Sequence, residues 1–168
     1  DCLMIILDLL SYQTIPFEIP NIKIQKLLSF FLHSAPTIDS RTAMKIDSSR
    51  LCQNWEEFIK SNQLKPAKIY AESYNDLTTS CEKNGLGVST EISRRTKGFI
   101  CIRKGKETDY ECVLRHIRNS IAHNNVYYCD VGNRKFVLFE DYNRGGKFTA
   151  RMLFSQTLLA DLKKEITK

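Results

Sequence analysis

Two of the chain's three histidines, two arginines and three asparagines crowd into one stretch, LRHIRNSIAHNNVYY, residues 114–128. Within it, Arg118, Asn119 and His123 form a set that can do chemistry on a phosphodiester. A histidine ordinarily titrates close to neutrality, so His123 can both take and give a proton. Arg118 can clamp a phosphate and stabilise the charge that develops on it, while Asn119 can orient either group by hydrogen bonds. RNA carries its own nucleophile in the 2′-hydroxyl, so a base, an acid and a cation suffice, and neither a metal nor another cofactor is required. In random order, a chain of this composition shows an Arg followed by a His at a comparable gap about 0.5 times, so the bare pair decides nothing. With Asn directly after the Arg the chance expectation falls to about 0.03, which makes the triple informative.

These residues need a helix to hold them. Thr108 and Glu111 have the spacing of a capping box, so a helix is expected from Asp109 to about His123, with Asn124 and Asn125 able to take the left-handed turn that ends it. At about 100° per residue, Tyr110, Val113, Leu114 and Ile121 lie within about 60° of Ile117 and form the core stripe. His116, Asn119 and His123 share another side, since steps of three, four and seven residues bring side chains onto one face. Arg118 points about 140° away from His123 on an ideal helix, so it must reach around or act in a site completed by a second copy. Arg115 and His116, one turn earlier, are weaker candidates for lining an RNA groove; exposure on a helix surface explains them equally well.

Just upstream, between Glu91 and Glu107, lie Arg94, Arg95, Lys97, Arg103, Lys104 and Lys106, the most basic segment and a candidate track for phosphates. The whole chain of 168 residues carries 25 basic against 19 acidic residues, a net charge of +6 that suits an anionic partner.

Elsewhere, helical spacing predicts a buried N-terminal helix in DCLMIILDLL, too short and too charged at Asp8 for a membrane anchor or signal peptide. Further helices are expected in NIKIQKLLSFFLHSAP behind an Asn21 cap, in RLCQNWEEFIKS after a loop from Thr37 to Ser49, and in KPAKIYAESYNDLTTSCEK from Pro66 to a stop at Gly85. VYYCDV, KFVLFEDY and KFTARMLF read as a short β meander separated by glycine turns, and Ser155 caps a last helix. The expected fold is therefore mainly α, a bundle of four to six helices with a small antiparallel meander near the C-terminus, in a single domain, residues 1–168. Six scattered cysteines offer neither zinc spacing nor a disulfide framework and read as free thiols in a reducing cytoplasm. His33 reads as a helix-end residue, and Trp55 and its aromatic neighbours as core.

The Arg118, Asn119 and His123 spacing, R-N-S-I-A-H on a late helix, resembles the signature of the HEPN superfamily (higher eukaryotes and prokaryotes nucleotide-binding domain). The resemblance rests on six residues and extends more loosely over the surrounding helix, the strands after it and the last helix. It implies a helical bundle that dimerises so that both copies of the motif meet in one cleft. It also implies a metal-independent endoribonuclease leaving a 2′,3′-cyclic phosphate, acting as a toxin, an antiphage effector or an RNA-processing enzyme, with an antitoxin or nucleotidyltransferase as a further candidate partner. One toxin branch has a tyrosine two positions after the histidine as the target of that nucleotidyltransferase; here the position is Asn125. The competing expectations are a noncatalytic HEPN-like module that binds RNA, nucleotide or protein, and a helical interaction protein whose basic patch meets an acidic partner.

Overall fold

The structure is a computed structural model that describes residues 4–5, 18–35, 48–87, 91–92, 97–131 and 133–168. Chain order through the described residues is β1 (Met4–Ile5), α1 (Ile22–His33), α2 (Ser48–Ser61), β2 (Ala67–Tyr70), α3 (Leu77–Lys83), β3 (Glu91–Ile92), β4 (Gly98–Ile102), α4 (Asp109–Ala122), β5 (Val126–Val131), β6 (Arg134–Tyr142), β7 (Phe148–Ser155) and α5 (Gln156–Thr167).

A five-stranded sheet in the order β2-β4-β7-β6-β5 runs through the middle, parallel between β2 and β4 and antiparallel elsewhere. This overturns the expectation of a mainly α bundle with a small C-terminal meander: the fold is α/β. The meander is there, but it is three strands of a larger sheet. The two strands of this sheet missed in sequence are β2 and β4. Residues Ala67–Tyr70 pair with Phe99–Ile102 instead of opening a helix at Pro66, and only α3, capped by Asp76 through Thr79 N at 3.2 Å, survives of the helix expected there.

Period-two alternation makes the sheet a wall between two cores. Phe99 and Cys101 of β4, Val137 and Phe139 of β6, and Ala150, Met152 and Phe154 of β7 face a large cluster shared with α1, α2, α4 and α5. Their neighbours Ile100, Ile102, Phe136, Leu138 and Leu153 face a smaller cluster with Leu77, Cys81 and Leu86. A strand covered on both faces reads as a continuous apolar run, which is why GFICI lacks the alternation that marks a half-exposed strand. The β2–β4 pair also needs Gly98, because a Cβ there would meet Pro66 O at 2.1 Å.

Of the N-terminal run expected as a helix, the two described residues are instead strand β1, pairing with β3; the rest lies outside the described residues, as does 37–47 of the expected loop, whose last two residues, Ser48 and Ser49, instead open α2. Asn21 and Ser155 cap α1 and α5 as their side chains predict, accepting from Ile24 N and Leu158 N, both at 3.1 Å.

Candidate functional site

Helix α4 is fixed at both ends. Thr108 Oγ1 accepts from Glu111 N at 3.4 Å while Thr108 N donates to Glu111 Oε2 at 2.8 Å, so the capping box is complete. Tyr110, Val113, Leu114, Ile117 and Ile121 are all buried in the large core, and each such burial is worth about 1.5–3 kcal/mol. At the far end His123 is the cap residue, its N–H donating to Asn119 O at 2.9 Å, and Asn124 takes the left-handed turn at φ 59°. The buried stripe thus turns the His116, Asn119 and His123 side toward a cleft of about 950 Å³.

Several elements line that cleft, among them the loop after β2, which contributes the exposed Glu72. From α4 come Arg115, His116, Asn119 and the exposed His123; from the turn after β4, Arg103 and Lys104; from the end of β6 and the β6–β7 hairpin, Asp141, Tyr142, Arg144 and Lys147. Its floor is a buried network of balanced charge. Asp141 Oδ2 accepts from His116 Nδ1 at 2.7 Å and from Asn119 Nδ2 at 3.2 Å, and its Oδ1 accepts from Tyr142 N at 2.9 Å. The carbonyl of Ile102 lies 2.8 Å from His116 Nε2 and accepts from Arg115 Nη2 at 3.2 Å. Nδ1 thus faces a carboxylate, and Nε2 faces the Ile102 carbonyl with the Arg115 guanidinium also 3.2 Å away, so the Asp141 side of the ring favours the protonated imidazole. Burial pushes its pKa down, but the Asp141 hydrogen bond and the Cys112 sulfur outweigh that, and the net shift is upward. Arg115 closes the network with a two-pronged ion pair to Glu107, Nε to Oε1 and Nη2 to Oε2 at 3.1 Å. Removing one member of such a buried pair costs about 3–5 kcal/mol, because the remaining charge stays buried without its partner.

Beneath His116, Cys101 and Cys112 sit with sulfurs 3.7 Å apart. The bond from Cys101 holds the Cys112 thiol down, helped by His116 and Arg115, while burial pushes Cys101 up. Donor atoms of Cys101, Cys112 and His116 lie within 4.8 Å of one another, as a metal site requires. Both His116 nitrogens are already committed, however, and the Arg115 guanidinium stands 3.2 Å from Nε2, so an ion would displace those bonds and meet a fixed positive charge. The trio is better described as a packed hydrogen-bonded cluster.

The residues singled out in sequence separate accordingly. Asn119 and His123 share the cleft with Arg103, Lys104, Arg115 and His116. Arg118 does not line it: half-buried, its Nε has no hydrogen-bond partner among the described residues. Arg115 and His116 are buried members of the floor instead of an exposed groove. Lys97 lines a separate cavity with Arg134 and Lys135, Lys106 lies exposed in the turn after β4, and Arg94 and Arg95 fall outside the described residues. Sequence reasoning missed Glu107, Asp141, Tyr142, Arg144 and Lys147. The available signal was Asp141 at the end of a strand of buried residues, where a charge demands a partner.

In this α/β domain an exposed histidine and a carboxamide stand over a charged floor, with Arg103, Lys104, Arg144 and Lys147 and the carboxylate of Glu72 around them. The family model described as HEPN pEK499 p136 matches residues 4–168, and the chain belongs to this HEPN family. No curated protein and no solved structure matches it. Among the described residues no helix is long and apolar enough to cross a membrane.

Proposed function

We propose that the chain is a metal-independent RNA endonuclease that works as a homodimer, in the service of a toxin or antiphage defence system. The observation that carries the reading is that Asn119 and His123 line one cleft whose mouth holds the exposed cations Lys104 and Arg144, in a chain of the HEPN family. RNA's 2′-oxygen attacks the adjacent phosphorus; the O2′–P bond forms, the P–O5′ bond breaks, and a 2′,3′-cyclic phosphate and a 5′-hydroxyl result. His123 takes the 2′ proton as the O2′–P bond forms and gives a proton back to the leaving 5′ oxygen. Asn119, its Nδ2 held by Asp141, offers Oδ1 to the substrate or to the imidazole. Arg118, outside its own chain's cleft, supplies the phosphate clamp to the partner's.

The same position of Arg118 favours a second reading, a noncatalytic RNA-binding module. End-labelled RNAs incubated with wild type and His123→Ala in excess EDTA separate the two. Cutting by wild type alone, with cyclic-phosphate ends, supports the nuclease. RNA that binds but stays whole with both supports the module, and equal cutting by both moves the chemistry away from His123.

A further inference from the structure

The β6–β7 hairpin is more than a connection, since Tyr142, Asn143, Arg144, Gly145 and Lys147 all line the cleft. Its geometry is tightly braced. Asn143 N donates to Lys147 O and Lys147 N to Asn143 Oδ1, both at 2.9 Å, closing the turn. Lys147 Nζ then ties it to the loop before α3 through Tyr74 O at 2.8 Å and Asn75 Oδ1 at 3.0 Å. On this frame stands Tyr142, 39% exposed and, with Ile22, one of two exposed large apolar side chains among the described residues. Its hydroxyl donates to Glu140 Oε2 at 2.8 Å, and Glu140 is itself locked by Arg151 Nε at 2.7 Å. Phe148 backs the ring at 5.6 Å.

An aromatic face fixed before any ligand arrives, beside cations, is a binding device of specific chemistry. Bases in a duplex are stacked on one another and offer no free face; an unpaired base does. A cleft of about 950 Å³ also suits small-molecule-sized units such as nucleotides better than a folded partner. We propose that the β6–β7 hairpin is the recognition element of the cleft, seating an unpaired base of single-stranded RNA on Tyr142 with the flanking phosphates on Arg144 and Lys104. This rests on the RNA reading above and extends it to the form of RNA and the residue that selects it.

Binding, not cutting, tests it, by fluorescence anisotropy in a His123→Ala chain with a labelled RNA oligonucleotide, single-stranded and as its duplex. Tyr142→Leu keeps apolar bulk but loses the π face, and is expected to weaken single-strand binding about 5- to 150-fold. Duplex affinity is expected to stay within about twofold, and Tyr142→Phe to hold single strands within about twofold of the parent. Arg144→Ala is expected to lower the slope of log affinity against log salt by about one. Thermal melting verifies that each variant is folded. Single-strand binding by Tyr142→Leu as tight as the parent's overturns the proposal, as does an equal loss in Tyr142→Phe or on the duplex. If wild type cuts no RNA while these binding differences hold, the nuclease reading falls and the hairpin's role stands; if neither form of RNA binds, both fall.

Discussion

Asp141 is the residue on which the floor of the cleft turns, because one carboxylate satisfies His116, Asn119 and the Tyr142 N–H together. The consequence is a pH dependence whose sign can be worked out. His116 has its pKa raised above 6.5 in the folded chain, so the ion pair's stabilisation is fully present below that value and is lost as pH rises through the folded-state pKa. In Asp141→Asn the buried imidazole has no anion to hold its charge. The variant should be less stable than wild type by about 3–5 kcal/mol near pH 6, and this gap should narrow as the pH climbs through the folded-state pKa of His116. Urea denaturation of both proteins across that range measures it; a gap that does not change with pH would remove the charged His116 from the account.

Helix α4 carries Asn119 and His123, and its start depends on a two-way cap. Thr108→Ala removes the oxygen that Glu111 N uses and should cost about 1 kcal/mol, while Thr108→Ser keeps it and should cost much less. Equal melting temperatures for Thr108→Ala and wild type would mean that the core stripe alone sets the helix. This cap was readable in the sequence, as were the stripe, the Asn124 turn, the β5–β7 meander and the shared side of His116, Asn119 and His123, because each is written in residues a few positions apart. What was not readable is equally specific. Strand β2 exists only because residues 67–70 meet 99–102 across the chain, and four residues are too few to show a period of their own. The partners of His116 and Arg115 were hidden for the same reason: Asp141 is 25 residues from His116, so two apparent surface groups turned out to be buried ones. A Gly98→Ala substitution tests the long-range pairing directly. Its Cβ would overlap the Pro66 carbonyl, and denaturation should show a loss of about 1–3 kcal/mol or more. An unchanged midpoint would mean that β2 does not lie against β4 as described.

At the scale of the molecule, the angle between Arg118 and His123 on α4 decides what the functional unit can be. Asn119 and His123 line the cleft and Arg118 of the same chain does not, so a cleft using all three either borrows the arginine from a second copy or draws it around from its own helix. If it is borrowed from a second copy, two inactive proteins can repair one another. Arg118→Ala and His123→Ala chains, each expected to be inactive alone, form mixed dimers in which one cleft pairs an intact Arg118 with an intact His123. With random exchange half of the dimers are mixed, each with one repaired site of two, so RNA cleavage should return to about a quarter of the wild-type rate. A cleft that instead draws its histidine from both copies gives no repair, because every mixed dimer then lacks one of the two imidazoles. Recovery would therefore assign the arginine to the partner and limit each site to one histidine. Continued inactivity in verified mixed dimers would exclude that arrangement and leave either a two-histidine cleft or an arginine acting within its own chain. Sedimentation of wild type over a range of concentrations sets the terms of the test, since a chain that stays monomeric at the concentrations where it cuts RNA cannot share a site at all.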